Sequence, residues 1–586
     1  MKVKNREKRR GGAAAPAAME AKPPATAAGR PPWAYAAACF AAIFVAFWAY
    51  EPSLHGAFLF DDTVLPFALP SFTAPFMAWI RGVRPVLMAT YWVNSYFWGA
   101  NSYSFHVFNV IFHLVTTGFI FLIVRRLLEW ARTTNPPRDL LAAFAAAIFL
   151  LHPIQTESVA YLAGRSEAVS VMILYAAFTV FLYRRKTAIG WGTALLVLLL
   201  FGAALLSKEH TIALPALLLL TDYWWNPGFS LRGAWSNWKL YGMMALGAAG
   251  GVAFFWRLIM FSRSAGFHVE GLTWYQYFFT QCRALFIYPA EFLFPVRLNA
   301  DWDFPISQTI FDHGAIVGLI VLAALAVAAW IYRKRYPLAC FGFFAYLLLM
   351  APTSSILPIK DPVAERRIYL SMLGLLLIVV DILRNVKVEP KKLTAILAAI
   401  VLAAACVTRA RSAIWADPVA LWQDAAAKSP HKRRALFQLA SAYSDAGRYR
   451  EAVEQYHQTA LQFRPDYNFL VDWALACDGA GEFQQAVARL RQAAVMERTA
   501  HVYTQLAKVY AERNLWADAL DALATAESID GNYAPIFMYR GDIQAANNQS
   551  EEAIKDYRQA LALDPTLEPV IRPKLTSIVP RRVTEK

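Results

Sequence analysis

Cysteine and charge are both scarce in this chain of 586 residues. No CxxC pair or metal-ligand spacing occurs among the five cysteines, which excludes a disulfide framework and the common zinc sites: Cys39, Cys282, Cys340, Cys406 and Cys477. Only 17% of the residues are charged, whereas 58% are hydrophobic and 14% are aromatic. This composition is too apolar for a single soluble domain and indicates a polytopic membrane protein.

Acidic residues are outnumbered by basic ones, 42 against 57, and the net charge of +15 could suggest a nucleic-acid partner. The basic residues, however, cluster beside apolar runs: Arg125-Arg126, Arg184-Arg185-Lys186 and Arg333-Lys334-Arg335. Such clusters are typical of loops held on the cytoplasmic side of a membrane. We therefore expect no nucleic-acid partner.

The first 32 residues are basic and rich in Ala and Pro, which predicts a disordered cytoplasmic tail. The apolar run Trp33–Tyr50 has no convincing cleavage site and is long enough to remain as a spanning helix. A positive tail keeps the start of this span in the cytoplasm. The segment from Glu51 to Arg84 would then emerge on the opposite side of the bilayer.

Length and charge together predict a membrane domain over residues 33–408 with about eleven spans. The runs are Trp33–Tyr50, Phe105–Val124, Leu140–Leu151, Val159–Tyr183, Ile189–Leu206, Ile212–Trp225, Leu240–Phe261, Ile316–Tyr332, Leu338–Met350, Tyr369–Leu383 and Leu393–Val407. We expect Pro85–Trp98 to lie along the interface and Tyr275–Phe294 to dip into the membrane or lie flat. An odd number of spans places the two chain ends on opposite sides.

The region 429–580 is a different kind of sequence, and we expect a linker helix over 409–428 before it and a short tail, 581–586, after it. Small residues recur at steps of 34, 33 and 34: Ala452, Ala486, Ala519 and Ala553. Large residues repeat in the same phase, at Tyr456, Leu490, Leu523 and Tyr557, and turn formers stand at Gly447, Gly481, Asn514 and Asn548. This period predicts four tetratricopeptide repeats whose groove holds a polypeptide. The alternative is that the repeats only brace the membrane domain.

Two adjacent carboxylates, Asp61 and Asp62, follow the first span. A wet loop tolerates acids, so the pair alone is weak evidence. Other ionisable or polar residues stand beside or within the spans: Arg84, His106, Asn109, His113, His152, Glu157, Arg165, Glu167, Lys208, Glu209, His210, Glu365, Arg366 and Arg367. Such residues are costly at membrane depth and normally line a cavity or site. Together they predict a polar site on the far side of the bilayer.

Chemical type suggests a role for each group. The bases Arg165, Lys208, Arg366 and Arg367 suit an anionic lipid head group, although each could be a plain interface anchor. A carboxylate, Asp61 or Asp62, suits a general base that deprotonates an acceptor hydroxyl. Supporting roles are expected for Arg84, His106, His152, Glu157, Glu209 and Glu365.

His106, Asn109 and His113 share one helix face. We favour helix-to-helix hydrogen bonds over a metal site for this face, because no nearby Cys or carboxylate completes a ligand set. We expect neither a metal nor a cofactor besides the donor substrate.

Several motifs resemble those of the TMTC family, the transmembrane and tetratricopeptide-repeat O-mannosyltransferases. They are Phe58-Leu59-Phe60-Asp61-Asp62, Arg84-Pro85-Val86-Leu87-Met88-Ala89-Thr90, Phe105-His106-Val107-Phe108-Asn109-Val110-Ile111-Phe112-His113, His152-Pro153-Ile154-Gln155-Thr156-Glu157, Gly164-Arg165-Ser166-Glu167, Ser207-Lys208-Glu209 and Glu365-Arg366-Arg367-Ile368-Tyr369-Leu370. The likeness covers residues 33–580, and the block from His152 to Arg165 is its most specific part.

The resemblance implies an all-α protein with a GT-C membrane domain, a polyprenyl-phosphate sugar donor, and inverting transfer of mannose to Ser or Thr hydroxyls of exported proteins. It places the base at Asp61 or Asp62, and we favour Asp61. The short loops and Ala-rich spans look bacterial, which would make the membrane an inner membrane, the carrier undecaprenyl phosphate, and the repeat domain periplasmic. Two alternatives remain: a glycan or lipid acceptor, or a non-catalytic scaffold that displays the repeats for envelope assembly.

Overall fold

The computed structural model describes residues 31–68, 74–184, 187–247, 269 and 271–578, and helices are the only regular elements longer than a bridge in these ranges. The N-terminal part contains α1 Pro32–Tyr50, α2 Phe76–Trp79, α3 Pro85–Trp98, α4 Ser102–Trp130, α5 Arg138–Leu151, α6 Thr156–Ala160, α7 Arg165–Leu182, α8 Trp191–Leu205, α9 Leu214–Trp225 and α10 Arg232–Ser236. The middle part contains α11 Trp274–Ala284, α12 Ile287–Leu293, α13 Ala315–Tyr332, α14 Pro337–Met350, α15 Ile368–Arg384 and α16 Pro390–Ala416. The all-α prediction is confirmed.

The C-terminal part continues with α17 Pro418–Lys428, α18 Arg433–Asp445, α19 Tyr449–Gln462, α20 Tyr467–Gly479, α21 Phe483–Met496, α22 Ala500–Ala511, α23 Trp516–Ile529, α24 Ala534–Ala546, α25 Ser550–Leu563 and α26 Glu568–Ile578. Short 3-10 turns connect several elements, among them Phe60–Val64, Leu162–Gly164, Glu209–Ala213 and Glu365–Arg367.

Five of the described helical segments are long and apolar enough to cross a membrane, so the chain is an integral membrane protein: Pro32–His55, Ser102–Trp130, Leu162–Leu182, Asp312–Tyr332 and Pro390–Ala416. A sixth crossing is possible if α5 and Pro153–Ala160, which meet at 48°, form one broken span. The helices α8 and α14 are apolar but shorter. The predicted span Leu240–Phe261 lies mostly outside the described residues, as do the tails 1–30 and 579–586, so the count of about eleven spans stays a prediction.

The predicted run Val159–Tyr183 differs from the structure, because the helix is interrupted at Tyr161 between α6 and α7. The physical cause is the buried side chain of Asn109. Its amide donates hydrogen bonds to the carbonyls of Val159, Tyr161 and Leu162 over 3.3, 3.2 and 3.5 Å. A polar group inserted in this way breaks the ladder of helical hydrogen bonds.

The predicted boundary at residue 408 and the single linker helix over 409–428 also differ from the structure. The last apolar helix, α16, continues to Ala416. Asp417 then adopts an extended backbone conformation and its side chain caps α17 by accepting the N–H of Val419. Pro418 starts the new helix because proline suits a first helical turn but not a helix interior.

The predicted solenoid is confirmed, and its four predicted repeats fall on the helix pairs α18–α19, α20–α21, α22–α23 and α24–α25, with α26 packed at the end. The four recurring alanines are completely buried, as close helix packing requires. The four turn residues have φ angles of 71°, 83°, 60° and 62°: Gly447, Gly481, Asn514 and Asn548. Only Gly, and to a lesser extent Asn, adopts this left-handed conformation readily.

The C-terminal ends of α1 and α16 meet at one end of the membrane bundle. Arg409 donates a hydrogen bond to Glu51 over 2.9 Å and also contacts the carbonyl of Trp48. Consequently the loop with Asp61 and Asp62, which follows α1, and the repeats, which follow α16, lie at the same end of the bundle.

Candidate active site

The two adjacent carboxylates lie in one 3-10 turn but in opposite environments. Asp61 is exposed, whereas Asp62 is 1% exposed. The Asp62 carboxylate accepts N–H groups from Leu59, over 3.0 Å, and from Ala163, over 2.7 Å. Asp62 therefore joins the acidic loop to the break between α6 and α7.

The backbone N–H of Asp61 donates to the Tyr161 hydroxyl over 3.0 Å, which fixes the turn a second time. Burial raises the pKa of Asp62 to about 7, against the opposing effect of its two backbone N–H donors. Both carboxylate oxygens of Asp62 are thus used in hydrogen bonds that hold the fold. Asp61 is the member of the pair that is accessible to a substrate.

Phe60, directly before Asp61, has a φ angle of 48°. A bulky residue rarely adopts this conformation, which persists only where the surroundings impose it. Its ring packs among three aromatic rings, with centroid distances of 5.5 Å to Tyr161, 6.3 Å to Trp415 and 4.6 Å to Trp422. This aromatic cluster sets the direction in which the chain enters Asp61.

Three ion pairs join predicted site residues from distant parts of the chain. Arg84 binds Glu209 through two parallel hydrogen bonds of 2.9 and 2.8 Å. Lys208 pairs with Glu167 and donates to Ser166 Oγ over 3.0 Å. Arg366 pairs with Glu157, and its backbone N–H donates to the same carboxylate over 2.8 Å.

One cation, Lys208, lies within electrostatic range of the other two. Burial lowers the pKa of Lys208, against the opposing effect of Glu167, and the like charges of Arg84 and Arg366 lower it further. Tyr161 in turn interacts with Asp61, Asp62 and Arg366. The side chains of Arg84, Lys208 and Arg366 remain 29%, 17% and 34% exposed. Tyr161 thus links the loop of Asp61 to a partly open basic cluster.

Arg165 lies elsewhere, in the interior, with no exposed surface. Its guanidinium donates to the carboxamide oxygens of Asn109 and Asn94 over 2.8 and 2.9 Å and to the carbonyl of Phe105 over 2.8 Å. It also stacks 4.6 Å over the ring of Tyr91. This arrangement differs from the predicted phosphate contact, because neutral acceptors already occupy the guanidinium. Arg165 instead ties α3 and α4 to the start of α7.

Arg367 is half-buried and holds the preceding loop. It donates to the carbonyls of Asp361 and Pro362, the latter over 2.8 Å, and to the Tyr277 hydroxyl over 3.2 Å. Its neighbour Glu365 is 2% exposed and accepts the backbone N–H of Asn299. Burial raises the pKa of Glu365 to about 8. Both residues order the segment around Arg366.

The histidines serve packing and loop geometry. His152 contacts the carbonyl of Phe292 over 2.9 Å and accepts the N–H of Ile154 over 3.2 Å. His113 bridges the Tyr369 hydroxyl and the carbonyl of Leu150 over 2.8 and 3.1 Å, so the interpretation of helix-to-helix hydrogen bonds is confirmed for it. His106 is buried beside the backbone of Gly56. Within the described ranges, no three His, Cys, Asp or Glu side chains are grouped to hold a metal ion.

The sequence interpretation missed Tyr161 as a site residue, although it stands inside the motif block from His152 to Arg165. Its predicted position inside the single run Val159–Tyr183 gave no sign that its hydroxyl reaches the acidic loop. Trp415 and Trp422 were missed as well, because they belong to the segment interpreted as a linker.

Family matches fall at both ends of the repeat region. Residues 434–466 and 534–567 each match a family described as "Tetratricopeptide repeat". Among solved structures, a crystal structure of MamA covers 26% of this chain and 89% of its own, at 19% identity and a TM-score of 0.23.

Curated relatives are named protein O-mannosyl-transferases. A Drosophila melanogaster protein, Tmtc1, is 33% identical over 23% of this chain and 15% of its own length. F38B6.6 from Caenorhabditis elegans is 22% identical over 66% of this chain, and human TMTC1 is 24% identical over 71%. The chain spans 54% of the length of each of the last two relatives. It is therefore similar to named O-mannosyl-transferases along most of its own length.

Proposed function

We propose that this chain is a membrane glycosyltransferase of the GT-C type. It moves a sugar, mannose by analogy with its named relatives, from a polyprenyl-phosphate donor to a Ser or Thr hydroxyl of an exported protein. The single observation that carries the proposal is the exposed Asp61, whose backbone N–H donates to the Tyr161 hydroxyl, while Tyr161 also interacts with Arg366 of the partly open cluster Arg84, Lys208 and Arg366.

In the proposed reaction Asp61 accepts the proton of the acceptor hydroxyl. The resulting oxygen attacks C1 of the sugar as the bond from C1 to the phosphate oxygen breaks. The electron pair of that bond leaves with the polyprenyl phosphate, whose negative charge the three cations stabilise. A single displacement of this kind inverts the configuration at C1, and it needs no cofactor besides the lipid-linked sugar.

The ion pairs stabilise the three basic side chains while no lipid-phosphate donor is bound. Without Glu209, Glu167 and Glu157, three adjoining cations would repel one another in a partly desolvated site. Arginine can share its N–H groups between a carboxylate and a phosphate, because its guanidinium carries five donors in a planar fork. Arg84 and Arg366 are thus the strongest candidates for the phosphate, with Arg367 ordering the loop behind them.

Location follows from the same proposal. The acidic loop and the repeats lie at one end of the bundle, so an acceptor polypeptide held in the repeat groove would be on the side of Asp61. We propose that this side is the periplasm of a bacterial inner membrane and that the carrier is undecaprenyl phosphate.

A transfer assay tests the proposal. The full chain in lipid nanodiscs is mixed with mannosyl-phosphoryl-undecaprenol and a Ser/Thr-rich peptide, and intact mass of the peptide is measured. We expect a hexose increment with the wild-type chain, loss of it with Asp61→Asn, and retention with the control Asp530→Asn, an exposed carboxylate in a repeat turn. Equal transfer by Asp61→Asn would overturn the assigned base, and no transfer by the wild type would favour the non-catalytic scaffold.

A further inference from the structure

The repeat array is joined to the membrane domain through a buried polar junction. Asp301, which is 2% exposed, accepts two hydrogen bonds from Arg434 of α18, of 2.7 and 2.5 Å. The backbone carbonyl of Asp301 also accepts Ser429 Oγ over 2.7 Å, and Ser429 is fully buried. A bidentate Arg–carboxylate pair of this kind fixes orientation as well as distance.

This junction leads directly to the basic side of the candidate site. The same Arg434 donates to the carboxylate of Asp361 over 3.0 Å, while the backbone carbonyl of Asp361 accepts the guanidinium of Arg367. Arg366, the next residue back along the chain, belongs to the basic cluster. One residue, Asp361, therefore separates the first repeat from the segment that presents Arg366.

A second contact leads to the acidic side. Trp422 of α17 is 4% exposed and is the nearest of the three aromatic rings around Phe60. The left-handed backbone of Phe60 needs this packing, since the conformation is unfavourable for a bulky side chain. Asp61 follows Phe60 immediately, so its direction depends on a ring that α17 supplies.

We infer that Trp422 and Arg434 are positioning residues of the transfer site, so that docking of α17 and the first repeat sets Asp61 and Arg366 in place. Domains joined by a small interface usually move relative to each other, but here the buried carboxylate of Asp301 pairs with Arg434 across the junction. The repeats are therefore a fixed part of the site and more than a tethered groove. The catalytic part of this inference rests on the proposed function.

A distance measurement tests the docking independently of any activity. In the full chain with Cys39→Ser and Cys406→Ser, which removes the exposed cysteines, spin labels are placed at Thr63→Cys in the acidic loop and Glu454→Cys in α19. We expect one narrow distance distribution in this background and with the control Arg433→Ala, whose exposed ion pair with Asp466 stays within the repeats. We expect a broad distribution with Trp422→Ala or Arg434→Ala. A narrow distribution in both of those variants would overturn the inference.

Transfer kinetics test the positioning role. Trp422→Ala should lower kcat roughly tenfold while the KM for the lipid donor changes less than about twofold, because Asp61 is misplaced but the cations remain. Trp422→Phe keeps an aromatic ring beside Phe60 and should restore most of kcat, which a general loss of stability would not explain. Arg433→Ala should match the wild type.

If Trp422→Ala or Arg434→Ala fails to fold, the milder Asp361→Asn takes its place in both experiments. This variant keeps the backbone carbonyl that binds Arg367 but removes the charge that faces Arg434. Normal kcat in Trp422→Ala and Asp361→Asn would overturn this inference alone, whereas absence of transfer by the wild type would overturn the proposed function.

Discussion

The backbone N–H of Asp61 donates to the Tyr161 hydroxyl over 3.0 Å, across 100 residues of sequence. This contact joins the loop after α1 to the break between α6 and α7. The Tyr161 phenol also interacts electrostatically with both members of the acidic pair and with Arg366. The acidic and basic halves of the candidate site therefore meet at one side chain.

Removing the Tyr161 hydroxyl should disturb the site with little effect on the fold. Tyr161→Phe keeps the ring that packs on Phe60 but deprives the Asp61 N–H of its acceptor, and we expect a loss of about 1 kcal/mol in unfolding free energy. We expect transfer to fall roughly tenfold, since a misplaced base raises the barrier. The transfer assay and thermal unfolding measure both effects. Tyr449→Phe, in an exposed part of α19, is the control, and unchanged transfer by Tyr161→Phe would contradict the account.

Asp62 should matter for stability more than for chemistry. Each carboxylate oxygen of Asp62 accepts one backbone N–H, from Leu59 or from Ala163. The side chain of Asp62→Asn has only one acceptor oxygen, so one of these two N–H groups loses its partner. We expect a loss of about 1–3 kcal/mol in unfolding free energy, the usual penalty for an unsatisfied buried donor. Denaturant unfolding of the purified chain measures this. A variant as stable as the wild type but without transfer would instead mark Asp62 as the base.

The pKa of Asp62 also predicts a pH dependence. Because the folded-state pKa of about 7 lies above the unfolded value near 3.8, the folded chain holds this proton over the interval in which the unfolded chain has lost it. The contribution of Asp62 to stability is therefore greatest below pH 4, falls as the pH rises toward 7 and is constant above that. Thermal unfolding of the wild type and Asp62→Asn between pH 4.5 and 8.5 should show this slope in the wild type only. Parallel curves would contradict it.

Variants of the ion pair between Arg366 and Glu157 allow the effect on lipid binding to be measured separately from the effect on stability. Arg366→Ala leaves Glu157, whose side chain is 3% exposed, without its cation. Because Arg366 itself is 34% exposed, we expect a loss smaller than the roughly 3–5 kcal/mol of a fully buried pair. We expect the double variant Arg366→Ala/Glu157→Gln to recover stability but to bind undecaprenyl phosphate roughly tenfold more weakly than the wild type. Native mass spectrometry with the lipid measures binding. Full recovery of lipid binding in the double variant would remove Arg366 from the phosphate site.

The repeat turns give a test of the fold alone. Gly447 has a φ angle of 71° and open space around its Cα, so Gly447→Ala should lose about 1 kcal/mol through backbone strain only. Gly531→Ala, at a glycine without a positive φ angle, should be neutral or slightly stabilising. Unfolding of the two variants is compared by denaturant titration. Equal stability would contradict the left-handed turn.

Local pattern was enough to predict the repeats, because each repeat packs its own alanine and large residue against a neighbour at a fixed sequence distance. Local pattern was also enough to group the polar residues, because an ionisable side chain beside an apolar run is costly at membrane depth unless it lines a cavity or site. The partners of those charges were not predictable. Arg165 and Lys208 are both basic residues beside an apolar run. In the structure Asn94 and Asn109 bind the guanidinium of Arg165 in the interior, whereas Lys208 pairs with Glu167 and stays partly exposed.

The interruption at Tyr161 was equally hidden. Residues 159–183 are apolar enough to read as one helix, and the break depends on Asn109, which reaches the same carbonyls from 50 residues away. The role of Trp422 depends on a contact between the two halves of the chain, which no local periodicity encodes.

In the proposed reaction, Asp61 acts as the base of a sugar transfer beside a cationic cluster. Single-turnover transfer from mannosyl-phosphoryl-undecaprenol to a Ser/Thr-rich peptide, compared between the wild type and Asp61→Asn in nanodiscs, tests it most directly. We expect Asp61→Asn to bind the lipid donor as tightly as the wild type but to transfer its sugar at least about a hundredfold more slowly, the usual contribution of a general base. Transfer at the wild-type rate by Asp61→Asn would show that Asp61 is not the base.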